Sequence, residues 1–166
     1  MTIAESRNNA KEFVKATLCL LIKDKKILLA MKKRGFGKGK WNGVGGKLND
    51  GEGAYDAMVR ETLEEIGVRV KSSKKVAELV FYNYDGSGRE SANMKVDAYV
   101  ATSWEGDPVE SEEMAPKWFS TSEIPYEEMW ADDVYWLPKV LEGKRVRFYA
   151  LFSGGENIEE HLLEYD

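Results

Sequence analysis

Apolar and polar positions follow two distinct periods along this chain. Residues 16–23 and 26–32 are largely apolar runs flanking Asp24-Lys25, which predicts two strands joined by a tight turn. Residues 75–84 and 94–103 alternate around the polar stretch 85–92 and predict a second pair of strands. Residues 117–119 predict a short strand, Thr121 or Ser122 the cap of a brief helical turn, and residues 145–152 a last strand. Helical period appears twice. In the first segment Val59, Leu63 and Ile66 recur at spacings of four and three, a stripe suited to packing on a core, and Gly67 stands where a left-handed residue would close the helix. Val68-Arg69-Val70 then alternates like the start of a strand. The second helix is expected over residues 132–142, capped by Asp132 or Asp133, closed by Gly143 and kinked or restricted by Pro138. Two helices around a mixed, mostly antiparallel sheet make a layered α/β domain of the α+β type, without internal repeats or a linker.

The first helix carries the chemistry. Glu61, Glu64 and Glu65 stand three and four residues apart, so a pitch of 3.6 residues turns all three carboxylates to one side. Arg60, four before Glu64, can hold that glutamate in place. Clustered like charges weaken an isolated helix by about 0.2–0.5 kcal/mol per pair, so a cation is expected to offset them. Hard oxygen donors at this density suit Mg²⁺, with Mn²⁺ as the alternative, and Mg²⁺ habitually completes its shell with water and phosphate. The helix follows a stretch with six glycines (Gly35, Gly37, Gly39, Gly43, Gly45, Gly46) interleaved with Phe36 and Trp41. Glycines there let backbone approach a ligand, and Trp41 to Gly46 predicts a short strand and a phosphate-facing turn.

The register from Gly46 to Val68 resembles the Nudix box, G-x5-E-x7-R-E-U-x-E-E-x-G-U with U apolar, at Gly46, Glu52, Arg60, Glu61, Glu64, Glu65, Gly67 and Val68. Thr62 departs from it, standing where an aliphatic residue is expected; its methyl can still pack and its hydroxyl can bond back to a helix carbonyl. The resemblance extends to Met31-Lys32-Lys33-Arg34-Gly35-Phe36-Gly37, Trp41-Asn42-Gly43, Pro108-Val109-Glu110-Ser111, Glu113-Met114, Trp118-Phe119 and Trp130-Ala131-Asp132-Asp133-Val134-Tyr135-Trp136. These look like the MutT-homologue branch of that family, the oxidised-purine nucleoside triphosphatases of animals, over about residues 17–152.

That resemblance implies the Nudix α/β/α sandwich with a loop-helix-loop metal site, dependence on Mg²⁺, and hydrolysis of a purine nucleoside triphosphate to monophosphate and pyrophosphate. By the same resemblance the metal ligands are Glu61, Glu64, Glu65, the Gly45 carbonyl and Glu113 from a distant loop. Glu52 anchors the loop-helix-loop, Arg60 orients the glutamates, and Lys32 faces phosphates or sugar. Asn42, Trp130, Asp132 and Asp133 read and stack the base, with Thr17, Phe36, Phe81, Met94, Met114, Trp136 and Phe152 lining the pocket, and Val44, Gly45, Gly46, Lys47 and Ala131 beside the substrate. Asn83 stands where that branch would put an aromatic, and the turn over residues 85–92 is longer here; both bear on base preference.

The reaction needs a bound water to lose a proton before it attacks phosphorus, and Glu64 or Glu61 is the expected acceptor. For the base, the Asp132-Asp133 pair beside Trp130 and Trp136 is a place where desolvation and a neighbouring charge both raise a carboxyl pKa. A carboxyl kept neutral near pH 7 donates a hydrogen bond, which suits a purine O6 or N7. The alternative is that the two aspartates cap the helix.

Composition narrows the remaining classes. The 166 residues, 43% hydrophobic, fit one domain over residues 16–166, with residues 1–15 expected as a short flexible leader. A net charge of −5 and a pI near 5.2 argue against a nucleic-acid polymer as partner. Cys19 is the single cysteine, so no disulfide framework or cysteine metal site forms within a monomer, which points to a reducing, cytoplasmic setting. No apolar run reaches the roughly 18 residues of a membrane span. His161, the only histidine, is expected at the surface, so acids must do the proton work. Competing readings are a Nudix hydrolase of ordinary nucleotides, nucleotide sugars or dinucleoside polyphosphates, a non-catalytic nucleotide sensor, and an RNA decapping factor. The last would want a basic track that this composition lacks.

Overall fold

The computed structural model describes residues 2–10, 12–84, 92–154 and 156–166. Its central strand, β1 (Val14–Lys23), is buried without interruption from Ala16 to Leu21 because both of its faces are covered. The first half of β1 pairs antiparallel with β4 (Val44–Lys47) and its end with β2 (Lys26–Lys32), which carries β3 (Trp41–Asn42) and β7 (Met114–Ser120). On its other side β1 runs parallel to β6 (Met94–Glu105). The sheet continues through β5 (Arg69–Tyr84), β8 (Val146–Ser153) and β9 (Asn157–Tyr165), so that the path reads β3-β2-β1-β6-β5-β8-β9. The β1–β2 turn places both Asp24 and Lys25 at positive φ, 53° and 61°, the twist that a two-residue hairpin demands.

Alternate residues of the strands face opposite layers. Leu18, Leu20, Leu79 and Phe148 turn toward α3 (Asp133–Leu141), where Trp136, Leu137 and Val140 complete one core. Cys19, Leu21, Tyr99 and Ala101 turn toward α2 (Ala54–Ile66), which supplies Met58 and Ile66 to the other. Burying side chains of this size contributes about 1.5–3 kcal/mol each. The layers are therefore helix, sheet, helix, as expected.

Five local expectations change. The stripe of α2 that enters the core is Ala57, Met58, Thr62 and Ile66, whereas Leu63 is 39% exposed. Thr62 hides the true register because it looks polar; its hydroxyl donates to the Met58 carbonyl at 2.8 Å, so it buries without an orphaned group. Within the expected leader, residues 3–9 form a helix, α1 (Ile3–Asn9), with Ile3 packed against Tyr82 and Leu151. The strand over residues 145–152 is not the last: β9 pairs antiparallel with it. The strand beginning at Arg69 runs unbroken to Tyr84, with bulges absorbing its register shifts. A 3₁₀ turn forms at Tyr126–Glu128, after the expected Thr121 or Ser122 position. Gly67 closes α2 at φ 72°, as expected, donating to the Leu63 carbonyl at 3.0 Å. The polar turn expected over residues 85–92 lies outside the described residues except for Ala92. His161 is exposed, its ring stacked on Tyr135 at 4.1 Å.

Candidate active site

Arg60 organises the acidic end of α2. Its guanidinium grips Glu52 with two bonds, Nε to Oε2 at 2.9 Å and Nη2 to Oε1 at 2.8 Å, and reaches the Lys47 carbonyl at 3.2 Å. Its Nη1 holds Glu61 at 2.8 Å and Glu64 at 3.3 Å. Glu52 also accepts from the Asn49 N–H at 2.9 Å, which ties the loop before α2 to the helix. The Arg60 bonds first, then the Asn49 N–H, pull the Glu52 carboxyl down to about 2; Arg60 is correspondingly held above its ordinary range. Glu52 and Arg60 are thus positioning residues.

The three glutamates do not share one environment. Gly45 and Gly46, expected in a phosphate-facing turn, lie instead within strand β4, paired with β1. Glu61 lies over β4 at Gly46, where a Cβ would stand 2.6 Å from its carboxyl carbon; only glycine leaves that space. Glu65 accepts from the Gly45 N–H at 3.3 Å. Burial pushes its carboxyl up to about 8, the Gly45 N–H opposes this, the like charges of Glu61 and Glu113 add to it, and Lys32 offsets it. Glu64, in contrast, is 58% exposed and points along the helix surface toward Arg60. Strand β4 thus gathers Glu61 and Glu65, with Glu113 and Lys32 within electrostatic reach of Glu65, and leaves Glu64 at the rim. Among the described residues no three His, Cys, Asp or Glu side chains are already drawn together as a metal cage. The donor set is nonetheless all oxygen, which fits a hard divalent ion.

Glu113 is brought in by a clasp that the sequence reading missed. Lys33 donates from its backbone to the Glu113 carbonyl at 2.8 Å and from Nζ to the Ser111 carbonyl at 2.8 Å, and it pairs with Glu110. Arg34 reaches Glu113 at 3.4 Å and Glu112 at 3.7 Å. The signal was visible as a basic run, Lys32 to Arg34, matched by an acidic run, Glu110 to Glu113.

Trp130, expected to stack the base, is met by three residues of the glycine-rich stretch. Phe36, 78% exposed, lies against the Trp130 indole at 5.1 Å between centroids, and Lys40 sits over the same ring at 5.0 Å. Gly37 at φ 86° passes so close that a Cβ would stand 3.2 Å from the indole. Phe81 and Phe152 meet edge to face at 5.6 Å, and Met94 flanks the same core, while Asn42 accepts from the Gly43 N–H through Oδ1 at 2.9 Å. Ala131 is exposed beside them.

Asp132 and Asp133 are both buried, and neither side chain caps α3. Asp132 Oδ2 instead accepts from the Trp136 indole Nε1 at 2.8 Å, while Asp133 Oδ2 is buried without a partner among the described residues. Burial lifts the Asp132 carboxyl to about 6, against the Trp136 bond. The Asp133 carboxyl is raised further, by burial and then by the charge of Asp132. Trp136 itself, expected along the pocket wall, is 1% exposed and acts as a holder for Asp132. Thr17, Val44 and Met114, also expected beside the ligand, are buried on the α2 side, where the Thr17 hydroxyl reaches the Gly46 carbonyl at 3.5 Å. Thr17 lies there because odd-numbered β1 residues face α2 and not α3, and Val44 of β4 and Met114 of β7 pack with Met58 and Ile66 of α2.

This architecture has known counterparts. The NUDIX domain family matches residues 12–140. The chain is 45% identical over 148 residues to the oxidized purine nucleoside triphosphate hydrolase of Danio rerio, spanning 89% of this chain and 92% of that protein. It is 41% identical over 147 residues to the protein of the same name in Mus musculus, with 89% and 92% covered. A MutT protein from Bacillus halodurans superposes with a TM-score of 0.82 over 92% of this chain and 98% of its own, at 24% identity, a likeness of fold. Nudix hydrolases generally use divalent metal cations. With the box residues gathered around Arg60 and strand β4, and with these matches along most of its length, the chain belongs to the Nudix family.

Proposed function

We propose that this protein hydrolyses purine nucleoside triphosphates oxidised or otherwise modified on the base, of the 8-oxo-dGTP or 2-hydroxy-dATP type, to monophosphate and pyrophosphate. The animal relatives named for that activity support the reading. The observation that carries it in this chain is the buried Asp133 oxygen without a partner among the described residues, next to Asp132 and on a residue whose N–H donates to the Trp130 carbonyl at 3.1 Å. A buried polar atom left unpaired costs about 1–3 kcal/mol, which a ligand that bonds to it recovers. With one carboxyl of the pair protonated, the site offers both a donor and an acceptor to a purine edge, and Trp130 supplies a stacking face.

Glu61, Glu65, the Gly45 carbonyl and Glu113 would hold Mg²⁺, or Mn²⁺ in its place, with Glu64 joining only after leaving Arg60. When bound, the ion neutralises phosphate charge and lowers the pKa of water. Lys32 meets the phosphates. Glu65 takes the proton as water oxygen bonds to phosphorus and the bond to the leaving group breaks; of the two expected acceptors, Glu61 lies beside it and Glu64 at the rim. Gly46 keeps the backbone low under the phosphates.

In this reading the protein works as a monomer in the cytoplasm, clearing damaged nucleotides before a polymerase incorporates them. A single buried cysteine, and the absence of any described helix long and apolar enough to cross a membrane, are consistent with that setting. The test is a panel of triphosphates, nucleotide sugars and dinucleoside polyphosphates assayed for pyrophosphate release with Mg²⁺. Preference for the modified purines is expected. Comparable rates on ordinary nucleotides would overturn the base assignment, and metal-independent binding without turnover would make the protein a sensor.

A further inference from the structure

A second cavity, of about 420 Å³, opens on the α2 face of the sheet, two strands from Gly46, and shares no lining residue with the site above. Its roof is Arg7 of α1 together with Phe13, and its floor includes Tyr82, Lys95 and Tyr149 from three neighbouring strands. The roof is fastened down. Ile3 is buried against Tyr82 and Leu151, the Ser6 hydroxyl lies 2.9 Å from the Tyr84 hydroxyl, and the Ile3 N–H donates to Glu160 at 3.3 Å.

The charge at this cavity is specific. Glu78 and Asp97 on the floor share Lys75, at 2.8 and 3.4 Å. Arg7 lies over the Tyr149 ring at 4.5 Å and Lys95 over the Phe13 ring at 4.3 Å. Neither cation has a carboxylate partner among the described residues. The walls thus combine three aromatic rings with two cations parked on ring faces, in a volume within the range of about 300–1,000 Å³ that small-molecule sites occupy. Cation–π contacts of this kind contribute only modestly at exposed sites, so an anion can recruit both groups without breaking a salt bridge.

We propose that this cavity is a second ligand site, for a nucleoside monophosphate, whose base packs among Phe13, Tyr82 and Tyr149 and whose phosphate is met by Arg7 and Lys95. The choice of nucleotide rests on the catalytic reading, which makes a monophosphate the product; the rings and cations stand independently of it. The roof helix joins the start of β1 to the β5–β8 region, so occupancy would also stiffen α1.

Titration calorimetry of dGMP into the full chain tests this. Two sites are expected in the wild type, with Trp130→Ala removing one and the paired change Arg7→Gln, Lys95→Gln weakening the other at least ten-fold while initial turnover stays unchanged. The conservative pair Arg7→Lys, Lys95→Arg should restore binding, and matching thermal midpoints separate loss of a site from loss of fold. Deoxyguanosine and inorganic phosphate, each alone, should bind more weakly than dGMP. A single site abolished by Trp130→Ala, a second site untouched by the Arg7 and Lys95 changes, or phosphate binding as tightly as dGMP would each overturn the proposal. An Arg7- and Lys95-dependent site in a chain that turns over no triphosphate would instead support it while sinking the catalytic reading.

Discussion

The Arg60 clamp and the buried aspartate pair of this protein treat their carboxylates in opposite ways. At the clamp, Glu52 in the loop and Glu61 on α2 are both held by one arginine, which pulls the Glu52 carboxyl down and fastens the loop to the helix. Asp132 and Asp133 are sealed from water, Asp132 with the Trp136 indole N–H as its partner and Asp133 Oδ2 with none among the described residues, and their proton affinity rises. The difference is one of counter-charge: where a guanidinium or a metal ion is supplied, a carboxylate acts as an anion. Where none is supplied, burial makes it a carboxylic acid, able to donate a hydrogen bond. One site is suited to phosphate chemistry and the other to reading a base.

The strongest way to break this contrast is to remove single charges from the α2 site. Glu61→Gln and Glu65→Gln should each lower the rate of pyrophosphate release by about 10²–10⁴-fold, the usual worth of a proton-transfer or metal-holding group. Glu64→Gln, whose native partner is Arg60 at the solvent rim, should cost no more than about ten-fold. Equal losses at all three positions would show that the rim position seen here is not the working one. Comparing kcat on a modified and an ordinary triphosphate matters too, because these changes should lower both alike.

Changes at the other site should do the reverse and move discrimination more than rate. Trp130→Ala removes a stacking face worth roughly 1–3 kcal/mol, so KM for a purine triphosphate should rise about 5- to 150-fold with kcat little altered. Asp133→Ala should cost a similar factor for the modified purine alone, and Asp133→Asn, which keeps a donor, should recover part of it. Losses that fall equally on purine and pyrimidine triphosphates would mean the pair does not read the base.

Which of these features could be read from sequence follows from how each is encoded. The acidic helix is legible because its spacing sets which side chains meet: Arg60 holds Glu61 and Glu64, and Glu65 reaches the Gly45 N–H. Gly46 is legible for the same reason, since its missing Cβ makes room for Glu61. The roles of Glu64 and Trp136 are not, because helix spacing gives a side and not a depth, and only packing separates a rim residue from a buried one. The helix α1 and strand β9 went unread because their polar, charged sequences bury few side chains and are held largely by neighbours such as Tyr82 and β8. The clasp of Lys33 and Arg34 on residues 110–113 joins positions nearly eighty apart, a pairing that no local period announces.

Acid–base stability sharpens the contrast further. The Asp132 carboxyl is raised from 3.8 to about 6, so its protonated form contributes stability below pH 4 that is lost as pH rises through about 6. Asp133 is shifted in the same direction. Glu52 works the other way: its contribution is present above its ordinary pKa of 4.5 and disappears as pH falls through about 2. Denaturant titrations of wild type against Asp132→Asn, Asp133→Asn should therefore diverge between pH 4 and pH 7. The wild type should lose more than the roughly 3 kcal/mol that the Asp132 shift alone gives at 1.36 kcal/mol per pKa unit, Asp133 adding to it, while the double variant retains its stability. Parallel curves would mean the pair is ionised and compensated in the folded protein.

The smallest expected effect lies at Thr62, midway between the core and the acid cluster. Its hydroxyl donates to the Met58 carbonyl, which an ordinary helix already satisfies through the Thr62 N–H, and its other neighbour is the buried Cys19 thiol, raised to about 11 chiefly by burial. Thr62→Val keeps the β-branched shape and replaces a buried hydroxyl with a methyl, leaving only a weak thiol contact unpaired. The variant should gain up to about 1 kcal/mol, read as a higher denaturation midpoint at unchanged slope. Turnover should stay within two-fold, because Glu61 and Glu65 are held by Arg60 and strand β4 and not by Thr62. A large fall in rate with stability intact would mean that this buried hydroxyl sets the tilt of α2, and that the acid cluster depends on the core beneath it more than on its own arginine.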